Sequence, residues 1–247
     1  MASTTIVLPS HAYRIRPRRA LGVAAACWGG FLVVVWLVAK GHAAGIDQAG
    51  LLFWRDPDLN PRGSARLAES VRDVTALGGI LLRNLFAILA IVALLFMRLR
   101  REAALLFLTV TLAWIVNSAI KGLVGRPRPE IVPHLMDAGG NSFPSGHSFN
   151  AAVVYISMAL AFAALSNRQS VRMTVIALAI VASMAIAWSR VWLGVHWPTD
   201  VIAGWLGGAG WAFLASALLY RPSKIAIETV SPAPDTVEPG SGPSPRR

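Results

Sequence analysis

The sequence predicts an all-α, polytopic membrane protein, a bundle of six transmembrane helices, and three observations carry that prediction. Of its 247 residues, 55% are hydrophobic and only 14% charged, against roughly 25% charged in an average globular domain. Six apolar segments come close to the roughly 20 residues that a helix needs to cross a bilayer core. Arg and Lys gather at alternate connections between those segments, the pattern by which charge orients a membrane bundle. The apolar content excludes disorder as the main state. No soluble fold needs six such stretches.

The first segment, Ala20–Ala39, follows a tail carrying Arg14, Arg16, Arg18 and Arg19. It is longer than the roughly 7–15 apolar residues of a cleaved signal, so it is expected to remain as a helix. Arg18-Arg19 lacks the surroundings of a twin-arginine signal. Residues 41–74 make a long outer connection that mixes Leu51, Leu52, Phe53 and Trp54 with Asp56, Asp58 and Pro61, a composition suited to an interfacial helix. The second and third segments, Thr75–Met97 and Ala103–Ile120, are joined by a hairpin with Arg98, Arg100 and Arg101. The fourth and fifth, Gly146–Leu165 and Val171–Trp188, are joined by a short hairpin with Arg168 and Arg172. The sixth, Thr199–Tyr220, leads to Arg221 and Lys224. The positive-inside rule places this basic end, and both termini, in the cytoplasm. The chain thus divides into a basic cytoplasmic tail, 1–19, a membrane domain, 20–220, and a tail, 221–247, whose Pro, Ser and Gly predict disorder.

The net charge of +11 admits nucleic acid, anionic lipid or a phosphorylated substrate as partner. The basic residues are spread over membrane connections and not gathered on one soluble domain, which removes nucleic acid. The single cysteine, Cys27, lies in an apolar run and reads as a small hydrophobe.

Three polar clusters fall at the outer ends of the expected helices. They are Lys121 through Arg128-Pro129, then Pro144-Ser145-Gly146-His147, then Ser189-Arg190 with His196 and Asp200. Lys121, Arg128 and Arg190 are cations at one membrane face without matching carboxylates, and guanidinium forks suit phosphate oxygens. Ser145 is a good N-cap, and Gly146 and His147 open the fourth helix, whose free N–H groups and positive dipole end favour a phosphate. His196 and Asp200 are spaced i,i+4, so the carboxylate can fix one imidazole nitrogen and leave the other free to attack. His147 is a second imidazole near the same face, as in-line displacement at phosphorus requires. Between His147 and Ser189 lie 41 residues, enough for two crossings and a tight turn, so the second and third clusters return to one face.

The pattern K-x6-RP, PSGH, SR-x5-H-x3-D resembles the signature of the type 2 phosphatidic acid phosphatases, the lipid phosphate phosphatases. It spans residues 121–200 with each signature position present in order. The resemblance implies that His196 is the nucleophile of a phosphohistidine intermediate, that Asp200 orients it, and that His147 protonates the leaving group. It implies that Lys121, Arg128, Arg190, Ser145 and Gly146 hold the phosphoryl oxygens, with no metal or other cofactor. The expected partners are a lipid phosphate substrate and the bilayer, at the outer face of a bacterial inner membrane. By family analogy undecaprenyl diphosphate ranks first, then phosphatidylglycerol phosphate, phosphatidate and lipid A phosphate.

Each residue has a bland explanation taken alone: snorkelling for Lys121 and Arg128, a helix cap for His147, a structural hydrogen bond for His196 and Asp200. Their convergence on one face favours function. Trp192 and Trp197 read as interface anchors, and Asn117 as a helix–helix hydrogen bonder. Arg83, inside the second segment, can snorkel or meet a lipid phosphate. The alternatives are a lipid phosphotransferase using the same site, a vanadium haloperoxidase, which the membrane composition opposes, and a transporter, which would need charges along a path across the bilayer.

Overall fold

The computed structural model describes residues 17–166 and 168–219, and among these the regular elements are eight helices. They are α1 (Pro17–Ala39), α2 (Ala44–Leu52), α3 (Ala65–Leu77), α4 (Ile80–Phe96), α5 (Arg100–Val124), α6 (Gly146–Ala163), α7 (Gln169–Trp192) and α8 (Pro198–Leu219). Arg14, Arg16 and the expected disordered tail 221–247 lie outside the described residues.

Five of these helices, α1, α5, α6, α7 and α8, are each long and apolar enough to cross a membrane. The second expected segment is different. It divides at Gly78-Gly79 into α3 and α4, bent by 48°. With 17 residues, α4 extends about 26 Å at 1.5 Å per residue, short of a core about 30 Å thick. The described residues thus hold five candidate spans, or six when the bent pair counts as one. Within that pair α3, the end next to the outer connection, carries Arg66, Glu69, Arg72 and Asp73 and buries only Val71 and Thr75, so α4 supplies the apolar part of the span. α2 is the helix expected within that connection.

Burial separates the centre from the lipid-facing rim. In α6, 72% of the membrane window is buried inside the protein, against 17% in α1 and 22% in α7. Leu32, Leu81, Phe96 and Leu178 are exposed, which suits hydrocarbon and not water. Between the helices the packing uses small residues: Ala20 and Ala24 of α1, Ala152 and Ala159 of α6, Ala209 and Ala212 of α8. Lipid tails are as apolar as leucine, so close van der Waals approach, and not hydrophobic transfer, holds such helices together. Gly208 shows how close the approach is. A Cβ there would stand 2.2 Å from the Phe149 carbonyl oxygen, so only glycine lets α8 lie this tightly on α6.

Candidate active site

Four helix ends meet at one end of the bundle. α5 and α7 finish there with Lys121 and Arg190 in their last turns, and α8 starts there with Asp200 in its first. Each charge sits where its helix dipole favours it. α6 starts beside them, and the Ser145 N–H donates to the Asp200 carbonyl at 3.0 Å. That bond ties the start of α6 to the start of α8, and so ties the segment of His147 to the segment of His196.

The cavity at this end, about 440 Å³, is lined by Lys121, Arg128, Gly146, His147, Arg190 and His196, among others. The sequence-predicted cations and both imidazoles thus face one space. Asp200 lies behind His196, fully buried. Ser145 is also fully buried, and its Oγ accepts from the Ser148 amide and hydroxyl, the latter at 2.9 Å. Its Oγ is turned back onto its own first turn as a cap, and the residue is not among those that line the cavity. What the cap presents to the cavity is Gly146 and His147.

The cations are held without being neutralised. Lys121 Nζ donates to the Asn141 carbonyl at 2.6 Å. Arg128 donates to the carbonyls of Gly139, Gly140 and Val195 at 2.8, 3.1 and 2.6 Å. Arg190 Nη1 donates to Thr75 Oγ1 of α3 at 2.9 Å, and its Nε is buried without a partner. Carbonyl and hydroxyl oxygens orient a cation but leave its net charge for an anion.

His196 is almost fully buried, 2% exposed. Its Nε2 lies 3.1 Å from Arg128 Nη1 on the cavity side. Its Nδ1 lies 3.3 Å from Ser142 Oγ and 3.6 Å from Asp200 Oδ2. Ser142 Oγ donates to that same carboxylate oxygen in a short hydrogen bond. The link expected directly between His196 and Asp200 therefore runs through a serine hydroxyl. Burial pushes the imidazole pKa down to about 4, with the Asp200 carboxylate opposing and Arg128 reinforcing the shift. The ring is neutral at ordinary pH, the state in which Nε2 carries a lone pair.

Three residues around this centre were given no role by the sequence motifs. Ser142 is one. Arg126 is another: it donates to Asp200 Oδ1 at 2.7 Å, to Asp47 Oδ2 at 2.6 Å and to Thr199 Oγ1 at 2.8 Å. Asp47, on α2, also accepts from the Thr199 amide and hydroxyl at 2.9 and 2.8 Å. The outer connection thus anchors the start of α8. Trp192 is not an interface anchor, since it is 1% exposed and packs with Val71 and Val195. Trp197 donates from its indole to the Pro127 carbonyl at 3.1 Å and lies beneath the Arg126 guanidinium. Asn117 lines the cavity but does not hold Lys121. Among the described residues no three His, Cys, Asp or Glu side chains gather as a metal site.

Fold and site together define an integral membrane bundle with a cationic, imidazole-flanked pocket at one end. The chain belongs to the PAP2 superfamily, whose family model matches residues 102–224. It is 32% identical over 181 residues to phosphatidylglycerophosphatase B of Bacillus subtilis, covering 70% of this chain and 85% of that one. It is 35% identical over 126 residues to a lipid A 1-phosphatase of Rhizobium etli, covering 47% of this chain and 50% of the relative, so it spans about half that protein's length. It is 31% identical over 127 residues to an undecaprenyl-diphosphatase of Sulfolobus acidocaldarius, covering 49% and 57%. The crystal structure of a transmembrane PAP2 type phosphatidylglycerolphosphate phosphatase from Bacillus subtilis superposes with a TM-score of 0.66 at 26% identity, covering 78% of this chain and 93% of that one.

Proposed function

We propose that this chain is a membrane-embedded phosphatase that releases phosphate from a lipid phosphate or diphosphate through a phosphohistidine at His196. The observation that carries the reading is one cavity flanked by two imidazoles and edged by three cations that have no carboxylate partner among the described residues.

The phosphoryl group binds among Lys121, Arg128, Arg190 and the start of α6. Arg128 turns its fork from Nε2 to the phosphoryl oxygens and frees the lone pair. Nε2 attacks phosphorus, the bond from phosphorus to the lipid oxygen breaks, and that oxygen takes a proton from His147. As His196 gains positive character, its Nδ1–H is steadied through Ser142 by Asp200. Water then attacks the phosphohistidine and gives its proton to His147. The P–N bond breaks and inorganic phosphate leaves. The three cations supply the transition-state charge stabilisation.

The site lies at the end opposite Arg18, Arg19, Arg98, Arg100 and Arg168, all exposed. The positive-inside rule supports an active site on the extracytoplasmic face of a bacterial inner membrane. Undecaprenyl diphosphate, phosphatidylglycerol phosphate, phosphatidate and lipid A phosphate are the candidate substrates. Purified protein in detergent, given this panel, should release free phosphate, and His196→Ala should abolish release while still inserting. Activity that survives His196→Ala, or that is lost with a chelator, contradicts the mechanism; transfer to an alcohol without free phosphate makes it a phosphotransferase.

A further inference from the structure

Arg83 has no part in the steps above. It stands on the first turn of α4 and is 6% exposed. Its hydrogen bonds all go to neutral groups: Nη1 donates to the Gly78 carbonyl at 3.4 Å, and Nε and Nη2 to Asn84 Oδ1 at 3.3 and 3.2 Å. Among the described residues no carboxylate pairs with it. A cation on a first turn meets the positive end of its helix dipole, and an ionised side chain within a bilayer is costly. A bound anion offsets burial, dipole and missing partner together.

Two cavities meet at this side chain. One is the catalytic cavity. The other, about 290 Å³, runs between α4 and α5, is walled by Ile91, Phe107 and Val110, and shares Arg83, Trp114 and Asn150 with the first. Phe107 is 55% and Trp114 57% exposed on the lipid-facing surface, so this groove opens to hydrocarbon. A lipid whose terminal phosphate lies between the two imidazoles reaches the bilayer past Arg83.

We propose that Arg83 binds a second phosphate of the substrate, the one between the scissile phosphoryl group and the hydrocarbon tail, and so favours lipid diphosphates or lipids with a phosphodiester at that place over simple lipid monophosphates. The charges agree. The cavity is lined by Lys121, Arg128, Arg190 and Arg83, with one carboxylate, the exposed Asp137. A phosphomonoester brings about −1.5 to −2, which leaves positive charge over, and an inner phosphate adds a negative charge on the tail side, where Arg83 stands.

The inference rests on the phosphatase reading, and the experiment separates the two. Initial rates of phosphate release are measured on two pairs with matched tails: farnesyl diphosphate against farnesyl monophosphate, and phosphatidylglycerol phosphate against phosphatidate. In Arg83→Gln the ratio of kcat/KM for the member with the inner phosphate to that of its partner should fall about 10- to 100-fold, the loss expected for one charge-assisted hydrogen-bond set. The pair that responds identifies whether the inner group is a diphosphate or a diester phosphate. An unchanged ratio in both pairs, whatever the absolute rates, overturns the role of Arg83. Should Arg83→Gln fail to accumulate in membranes, Arg83→Lys carries the test: a point charge in place of the fork lowers the ratio less but in the same direction, and an unchanged ratio again overturns it. If the unmodified protein releases phosphate from none of the four, nor from undecaprenyl diphosphate or lipid A phosphate, the phosphatase reading itself fails.

Discussion

Replacing Ser142 with Ala tests how the imidazole is supported. Ser142 is fully buried, and its hydroxyl stands between Nδ1 of His196 and the Asp200 carboxylate. Alanine removes a hydrogen bond to a charged group, worth about 1.5–3 kcal/mol, and leaves Nδ1–H facing a carboxylate oxygen 3.6 Å away. The cost is greatest when His196 becomes positive during phosphoryl transfer, so it falls on kcat, by about 10- to 100-fold. KM should change little, because Lys121, Arg128 and Arg190 are not touched. A small movement of Asp200 into the gap places the result near the lower limit. The assay is steady-state phosphate release, with acid-quenched trapping of phosphohistidine to show that formation of the intermediate has slowed. Asp200→Asn should cost more, on the order of 10³–10⁴ by analogy with other acid–imidazole pairs, and adding Ser142→Ala to it should cost little further. A Ser142→Ala variant with undiminished kcat, or losses that multiply in the double variant, refutes the relay.

Other outcomes follow from the same structure. Burial holds His196 down to about 4, whereas an unfolded imidazole titrates near roughly 6.5. The unfolded state therefore binds more protons between those values, so stability falls as pH drops through that window. In a pH profile, kcat/KM should rise on the acid side through about 4 as His196 loses its proton and fall again at higher pH once His147, the proton donor, is no longer protonated; an acid limb near roughly 6.5 would mean a solvated His196 ring. Arg126→Met removes the partner of both Asp47 and Asp200, which are 1% and 0% exposed. Leaving buried carboxylates unpaired costs about 3–5 kcal/mol, read as a lower Tm in detergent, and an unchanged Tm would show the network to be idle. Gly208→Ala places a Cβ against the Phe149 carbonyl and should destabilise by about 1–3 kcal/mol; a neutral result would argue against the close α6–α8 seam.

Helix positions were legible because membrane crossing imposes length and apolarity on contiguous residues. That is why α1, α5, α6, α7 and α8 begin and end within a few residues of expectation. The second span was not, because Gly78-Gly79 breaks the helix where hydrophobicity alone runs on from Thr75. The lining cations and imidazoles were legible from motif spacing and the rule of alternating faces. Asp47 and Ser142 were not: Arg126 meets Asp47 across 79 positions, and Ser142 meets Asp200 across 58, separations on which periodicity is silent. Arg126, two residues before Arg128, was visible as a charge but not as the clamp on Asp200. Ser145 was legible as a cap, and capping is what removes its hydroxyl from the pocket.

The two walls of the cavity differ in how freely they can change. The imidazoles enter from the first turn of α6 and from the turn just before α8, two helices locked by glycine contacts at the middle of the bundle, while the groove beside Arg83 is cut into α4 and α5 on the hydrocarbon side. Substitutions along that outer groove can reshape the choice of lipid without disturbing the chemistry next to it. Such a division separates the part of the bundle that would select a hydrophobic tail from the part that would carry out the reaction.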